Sequence, residues 1–334
     1  VAIGQSALVT QNFTTATNNY NVAIGYFTGG SITTGSINTL MGGLSGDALT
    51  IGSSNVAVGY NSLSADTAGE HTVAIGKSAL ASQNFTTSTD SNNTAVGYHA
   101  GVNISTGTHN TILGSNAADS MTTGHNNTAI GYSALGAGTL TGSSNTALGY
   151  ASGNDVTSGS NNMFLGKDAG RTGSPGGSFT TQSNNIVIGD ENITLIRTAV
   201  SVTATSDQRD KTDFTDLDLG LDFVERLSPV TFKWDRRSKY IDKSKDDWED
   251  SVDMNAIVPD GTHKEDRLDI GFKAQEVESL EESFGYKKDD KRNLLYDPGT
   301  DGTSYGMHYD KFVPILVKAI QELSAEVEKL KSGG

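Results

Sequence analysis

Short apolar runs recur along the first 190 residues, each opening on a polar residue and closing on a glycine. The unit is written ten times, as Asn-x-x-x-Gly in nine copies and as Thr-x-x-x-Gly in one. Apolar or β-branched residues alternate inside it, as in Val22 and Ile24 or Thr94 and Val96. This period of two predicts a short β-strand, and the closing glycine can adopt the positive φ of a turn. The ten copies begin at Asn21, Asn38, Asn55, Thr72, Asn93, Asn110, Asn127, Asn145, Asn162 and Asn185.

The copies are spaced almost regularly. Most closing glycines are 17 residues apart, and both 21-residue intervals carry the same inserted sequence, QNFTT, at Gln11 and again at Gln83. One unit cannot bury its own apolar face, so neighbouring units must stack to form a core. The pattern predicts a β-solenoid or β-roll shaft over residues 1–190, with a ladder of stacked asparagines. Because the chain begins inside a repeat, we expect further repeats before Val1 in the native protein.

The apolar pattern changes after residue 190. Residues 191–205 are rich in β-branched side chains and predict a junction of one or two short strands. A helix is expected from Thr215 or Asp216 to Leu227, since Pro229 ends it, and a strand should follow. Residues 272–284 predict a second helix. Residues 206–308 are therefore expected to form a mixed α/β domain.

The last segment, residues 309–331, predicts a helix with a heptad repeat. Its apolar residues follow one another in alternating steps of four and three, a spacing typical of a coiled coil rather than of an amphipathic helix packed on its own domain. We therefore expect a parallel three-stranded coiled coil. Its seam residues are Val313, Leu316, Ile320, Leu323, Val327 and Leu330.

Charge divides the chain at the same place as the apolar pattern. Residues 1–205 hold only 4 of the 24 basic and 9 of the 39 acidic residues. The net charge of −15 disfavours binding to nucleic acid or to an anionic membrane, and no apolar run reaches membrane-spanning length. We therefore expect neither nucleic-acid binding nor membrane insertion. The chain has no cysteine, which excludes disulfides and thiolate metal sites, and we expect no cofactor and no metal.

The repeat array contains few candidate catalytic, metal-binding or sugar-binding residues. Its nine acidic residues recur in no fixed phase that would set two carboxylates across a cleft, so we do not expect a glycan hydrolase or lyase there. His71 and His109 share the position before the motif, where they are either surface residues or metal ligands brought together by three-fold symmetry. Five tyrosines share the position after the motif glycine and either stack sugars or pack between turns. They are Tyr26, Tyr60, Tyr98, Tyr132 and Tyr150.

Two resemblances organise these observations. The repeats resemble the head repeats of trimeric autotransporter adhesins and the shaft repeats of phage tail fibres. Four later motifs resemble the C-terminal intramolecular chaperone of endosialidases and related tail spikes and fibres. These motifs are SDQRDK at Ser206, LSPVTFKWD at Leu227, IGFKAQEVES at Ile270, which includes Gln275 and Glu276, and YDKFVPILVKAIQELSAEVEKL at Tyr309.

The second resemblance implies that the domain cuts itself away by hydrolysis of the bond between Thr205 and Ser206. Ser206 would be the nucleophile, and Lys211 would be its base. A lysine can serve as a base only if burial lowers its pKa, which a closed trimer interface would provide. Asp207 and Arg209 also match the motif, and we expect them to orient the turn or pair with charges rather than react.

These features predict a homotrimeric segment of a phage tail fibre, assembled in the host cytoplasm and carried on the virion. Its expected partners are other tail proteins and a host cell-surface receptor, with polysaccharide as the favoured class. Two alternatives remain open at this point: a depolymerising tail spike that acts on host-surface polysaccharide, and a bacterial trimeric adhesin.

Overall fold

The computed structural model describes residues 1–14, 17–199, 201–202, 204–242, 252–288, 293–299 and 302–333. It divides the chain into two compact units, Val1–Asn192 and Ile193–Gly334. Parts of the predicted junction and of the predicted 206–308 domain lie outside the described residues: Val200, Thr203, 243–251, 289–292 and 300–301.

The first unit is a β-solenoid, as predicted. Each copy of the repeat contributes one strand to an eleven-stranded sheet, in which every strand pairs in parallel with the strand of the next copy. A separate two-stranded parallel sheet, β5 with β7, forms at one place along the solenoid. The strands are β1 (Ala2–Ile3), β2 (Val22–Ile24), β3 (Thr39–Met41), β4 (Val56–Val58), β5 (Gly69–Glu70), β6 (Val73–Ile75), β7 (Thr89–Asp90), β8 (Thr94–Val96), β9 (Thr111–Leu113), β10 (Thr128–Ile130), β11 (Thr146–Leu148), β12 (Met163–Leu165) and β13 (Ile186–Ile188).

The central residue of each three-residue strand faces the core, and the two flanking residues face outward. Ala23 and Ala57 are fully buried, whereas Val22 and Ile24 are partly exposed. Residues from the other side of each turn, such as Ile32, complete the core. We call the first and third strand positions the outward columns. Their most exposed apolar members are Ile3, Met41, Ile75, Leu113, Leu148, Met163, Ile186 and Ile188.

The predicted asparagine ladder is present and buried. The side-chain oxygen of Asn21 accepts the backbone N–H of Asn38 at 2.9 Å, and Asn38 does the same for Asn55 at 3.0 Å. Each amide nitrogen donates to a carbonyl on its own turn, as Asn38 Nδ2 does to Gly52 at 2.9 Å. The residue before each ladder position adopts the left-handed conformation, as Ile37 does with φ 61°.

The closing glycines are packed too closely for a side chain. Gly59 has φ 136°, and a Cβ built on it would lie 2.4 Å from the carbonyl oxygen of Gly76 on the next turn. A larger residue would therefore be strained by its backbone and would collide with the neighbouring turn.

The second unit contains three α-helices among its described residues: α1 (Leu221–Glu225), α2 (Ala274–Ser283) and α3 (Phe312–Ser332). Two antiparallel strand pairs accompany them, β14 (Val230–Phe232) with β15 (Asp269–Gly271) and β16 (Tyr296–Asp297) with β17 (Gly306–Met307). The predicted mixed α/β region with a long C-terminal helix is confirmed. Its core includes Leu219, Phe223, Val277, Leu295, Phe312 and Ile315.

Two local predictions are wrong. Helix α1 begins at Leu221 rather than at Thr215 or Asp216, because its N-terminus is capped by a side chain from α3 rather than by a local residue. The described residues of 191–205 form no strand. A strand needs a neighbour with which to pair, and among the described residues this segment has no strand partner; Ile193, Leu195 and Ile196 are between 47% and 62% exposed.

Helix α3 has two apolar faces rather than one. Phe312, Ile315 and Ala319 are buried against the rest of the second unit, and the ring of Phe312 stacks on Phe272 with centroids 5.1 Å apart. The heptad spacing did not predict this packing, because it describes only the neighbouring, exposed face.

Candidate functional site

Ser206 and Lys211 are brought together by a short turn. Residues Gln208–Asp210 form one turn of 3₁₀ helix, and the backbone N–H of Lys211 donates to the carbonyl of Gln208 at 3.2 Å. The turn reverses the chain, so the Lys211 side chain reaches back over it. Lys211 Nζ donates to Ser206 Oγ at 2.6 Å. The two residues that the sequence proposes as base and nucleophile are therefore in direct contact.

Asp207 and Arg209 hold this turn. Asp207 is its N-cap, since its Oδ1 accepts the backbone N–H of Arg209 at 2.9 Å. The Arg209 guanidinium also binds the same carboxylate, with Nη2 2.6 Å from Oδ2. These hydrogen bonds lower the pKa of Asp207 below its usual range. Asp207 thus caps the turn and pairs with Arg209.

The site is open to solvent in the single chain. Thr205, Ser206 and Lys211 are all exposed. A neutral amine is needed to take the proton of a serine hydroxyl, and burial is what favours the neutral form of a lysine. The single chain thus supplies the contact between the two groups without the buried environment that the chemistry needs.

Gln275 and Glu276 lie elsewhere on the second unit, in the first turn of α2. Glu276 pairs with Lys273 at 2.7 Å, and the backbone carbonyl of Gln275 accepts from Ser279 Oγ at 2.9 Å. Within the described residues, no hydrogen bond or ion pair joins either of them to Ser206 or Lys211.

The predicted seam of α3 is exposed along its whole length. Val327 is the least exposed member, at 38%, and Leu330 is the most, at 78%. The seam is therefore a continuous, exposed apolar stripe that runs beside the buried face of the helix.

The buried acidic residues of the solenoid are engaged in local bonds. Asp66 accepts from Gln83 Nε2 at 2.7 Å and from the backbone N–H of Phe85 at 3.0 Å, and burial raises its pKa. Asp168 pairs with Arg171 at 2.9 Å. These contacts account for the burial of Asp66 and Asp168 within the solenoid.

The five tyrosines of the array lie on its outside, with between 45% and 57% of each exposed. Tyr132 and Tyr150, on neighbouring turns, stack with ring centroids 5.4 Å apart. The stack of Tyr132 on Tyr150 is a packing contact between neighbouring turns on the outer surface of the solenoid. Half of each ring remains available to a ligand or to another chain.

Residues 206–286 match the family model described as Chaperone of endosialidase. The match begins at Ser206, the residue in contact with Lys211. The chain carries an endosialidase chaperone domain after its β-solenoid. This combination is typical of phage tail fibres and spikes, and the family implies an autoproteolytic chaperone activity. The match includes three of the four motifs, and the fourth, from Tyr309, follows it.

No curated protein and no solved structure matches the chain. No helix in the described part of the chain is long and apolar enough to cross a bilayer.

Sequence reasoning missed one residue that organises the chaperone domain. The carboxylate of Glu322, on α3, accepts the first backbone N–H of α1. In the sequence Glu322 is one polar residue of a heptad between seam positions, so its pattern indicates only a solvated helix surface. Its role depends on a contact between segments 101 residues apart, which no local pattern encodes.

Proposed function

We propose that this chain is a segment of a phage tail fibre whose chaperone domain trimerises the chain and then releases itself by cleavage between Thr205 and Ser206. The observation that carries the proposal is the 2.6 Å contact between Lys211 Nζ and Ser206 Oγ. The family match, which begins at the same serine, supports it.

The cleavage chemistry follows from this contact. Lys211, once neutral, removes the proton from Ser206 Oγ, and the oxygen attacks the carbonyl carbon of Thr205. The bond from that carbon to the backbone nitrogen of Ser206 breaks, and the nitrogen receives the proton that Lys211 has taken up. The Thr205 acyl group is then held as an ester on Ser206 Oγ, and water hydrolyses that ester. The products are a carboxylate at Thr205 and a free hydroxyl at Ser206.

Two exposed apolar surfaces support a homotrimer. In the chaperone domain, the seam of α3 presents residues such as Ile320, which is 66% exposed. In the solenoid, the outward columns expose aliphatic residues on successive parallel strands. Apolar surface of this extent is rarely left in water, and packing against other copies of the chain would cover both surfaces.

A trimerising chaperone would help the shaft to fold with its three chains in the correct register. Parallel strands of nearly identical sequence specify their register weakly when three separate chains must align, and nucleation over long distances is slow. A C-terminal coiled coil would hold three chains in register while the shaft folds. Its removal would leave a product with a high barrier to unfolding, because the nucleus that could reverse the process is gone.

The proposed partner of the assembled fibre is a polysaccharide on the host surface. The stacked pair Tyr132 and Tyr150 supports this class, because a half-exposed ring offers an apolar face to a sugar. Replacing both tyrosines by alanine is expected to weaken binding to host polysaccharide while the trimer stays intact. Loss of the trimer instead would mean that the rings pack between copies.

The mass of the purified chain under denaturing conditions tests the cleavage. We expect the parent chain to yield two fragments, one ending at Thr205 and one beginning at Ser206, whereas Ser206→Ala stays whole. Lys211→Arg keeps the charge but cannot supply a neutral base at ordinary pH, so it should also stay whole. Ser201→Ala, a serine in the same junction, is the control and should be cleaved normally. A parent chain that remains at full length as a folded trimer would overturn the proposed self-cleavage.

A further inference from the structure

The second QNFTT insertion creates a local feature that no other turn of the described solenoid has. Because of the extra residues, β5 and β7 pair as a separate parallel two-stranded sheet. Their register places Glu70 directly opposite Asp90. Like charges at directly opposed positions of a sheet destabilise it, so this pairing needs a positive group to offset it.

His71 lies beside the two carboxylates. Its Nδ1 is 2.8 Å from Asp90 Oδ1, and one ligand atom from each of Glu70, His71 and Asp90 lies within 4.8 Å of the other two. Ser88 Oγ donates to Glu70 Oε1 at 2.6 Å and so fixes that carboxylate. The three groups belong to two successive turns, with Glu70 and His71 on one and Asp90 on the next.

Apart from His71, the described residues provide no cationic partner for the two carboxylates. Throughout the described ranges, no lysine or arginine forms an ion pair with Glu70 or Asp90. Two carboxylates and one imidazole carry a net negative charge whether or not the ring is protonated. The position therefore favours a small cation that can contact all three groups at once.

The cluster also adjoins the single interruption of the asparagine motif. Thr72, which replaces the asparagine, follows His71 directly in the chain. A cation held by Glu70, His71 and Asp90 would link two neighbouring turns next to the position where threonine replaces asparagine in the ladder.

We propose that Glu70, His71 and Asp90 form a binding site for a divalent transition-metal cation, with Zn²⁺ as the ion that fits best. Imidazole nitrogen and carboxylate oxygen are both ordinary zinc ligands, and three protein ligands leave a position for water. Calcium and magnesium prefer oxygen ligands alone, so the imidazole argues against them. The site belongs to the solenoid and is independent of the proposed self-cleavage.

Calorimetric titration of the untagged full chain with Zn²⁺ tests the proposal. We expect one Zn²⁺ per chain. His71→Ala and Asp90→Asn should each weaken binding by at least about tenfold, since loss of a direct ligand costs no less than loss of an outer partner. His125→Ala removes another exposed histidine of the solenoid and should leave binding unchanged. Substituting Co²⁺ should give visible absorption bands that disappear in His71→Ala.

Two results would overturn the site. One is the absence of measurable Zn²⁺ binding by the parent chain. The other is binding that persists at parental strength in both His71→Ala and Asp90→Asn, because the ion would then lie elsewhere. Far-ultraviolet circular dichroism of each variant shows whether it is folded, and so distinguishes the loss of a metal ligand from a folding defect.

Discussion

The backbone N–H of Leu221 donates to the carboxylate of Glu322 at 2.7 Å. This bond caps the N-terminus of α1 with a side chain from α3, and Lys318 pairs with the same carboxylate at 3.5 Å. Gly220 leaves room for it, since a Cβ at that position would lie 2.2 Å from Glu322 Oε2. The helix that carries the proposed trimer seam is thereby fixed to the first helix of the chaperone domain.

Glu322→Ala is expected to destabilise the chaperone domain by about 1 kcal/mol, the usual cost of losing a helix cap. Both tryptophans, Trp234 and Trp248, follow Ser206 in the sequence, so tryptophan fluorescence reports on this domain selectively. Denaturant unfolding of the full chain in a Ser206→Ala background measures the change. Glu326→Ala, an exposed residue one turn later on the same helix, is the matched control, and an equal loss in both variants would argue against the cap.

Asp207 is expected to control the rate of self-cleavage without taking part in the chemistry. Asp207→Ala removes both the cap of the 208–210 turn and the partner of Arg209, so Lys211 would no longer be held against Ser206. A displacement of about 1 Å at a reacting group can cost up to about 100-fold in rate.

Asp207→Asn separates the contribution of the hydrogen bond that caps the turn from that of the ion pair with Arg209. Asparagine keeps an oxygen that can accept the Arg209 N–H, but it loses the charge, so its rate should lie between those of the parent and Asp207→Ala. The appearance of the fragment that begins at Ser206, followed by mass spectrometry, gives the rates. Parental rates in both variants would show that the turn does not depend on Asp207.

The solenoid could be predicted from sequence because each turn repeats the same local signals. The Asn21 and Asn38 copies share a polar head, an alternating run and a glycine, and the structure gives both the same strand and the same ladder contact. The repeated sequence pattern could not predict which face of each strand points into the core. A period of two places Val22 and Ile24 on one face but does not say whether that face points to the core or outward.

The chaperone domain was harder to predict, because its elements depend on distant contacts. Local capping signals placed the start of α1 at Thr215 or Asp216, but the contact with Glu322 sets it at Leu221. The pairing of Ser206 with Lys211 could be anticipated, since both residues lie within one six-residue motif and a single turn joins them.

Ile320→Asp is expected to prevent trimerisation while leaving the chaperone domain folded. Ile320 lies on the exposed seam, whereas Ile315 and Ala319 hold the helix to its own unit. An aspartate in the seam would bring three like charges together in a coiled coil, which strongly disfavours assembly.

Sedimentation analysis gives the mass of the assembled species for this variant. Gln321→Asp introduces the same charge at an exposed neighbouring position and should remain trimeric. Because the proposed cleavage needs a closed interface around Lys211, Ile320→Asp should also stay uncleaved. A monomer that still cleaves at the parental rate would separate cleavage from assembly.

Thr72 interrupts the asparagine ladder, and Gln83 bridges the interruption by hydrogen bonds to both sides. The contribution of this bridge to stability can be tested. Asn55 Oδ1 accepts the Thr72 N–H at 2.9 Å, as it would from an asparagine. Gln83 Nε2 then donates to Thr72 Oγ1 at 3.0 Å, and Gln83 Oε1 accepts from Asn93 Nδ2 at 2.8 Å. The inserted glutamine thus restores the continuity of the buried network.

Gln83→Ala is therefore expected to cost about 1–3 kcal/mol for each buried polar group that it leaves without a partner. Gln11→Ala is the matched control, because Gln11 holds the equivalent place in the first insertion, and among the described residues its side-chain oxygen accepts only from Asn19. Thr72→Asn alone should also destabilise the solenoid, since the larger side chain must share the space that Gln83 fills.

The double variant Thr72→Asn with Gln83→Ala tests whether Thr72 and Gln83 act together, because it removes the bridge and supplies the asparagine found in the other copies. We expect it to be more stable than Gln83→Ala alone, which would give a coupling energy of opposite sign to the two single losses. Thermal unfolding followed by far-ultraviolet circular dichroism, at one fixed heating rate, measures all four chains. Strictly additive losses would mean that Thr72 and Gln83 act independently, and the ladder would then be interrupted rather than bridged.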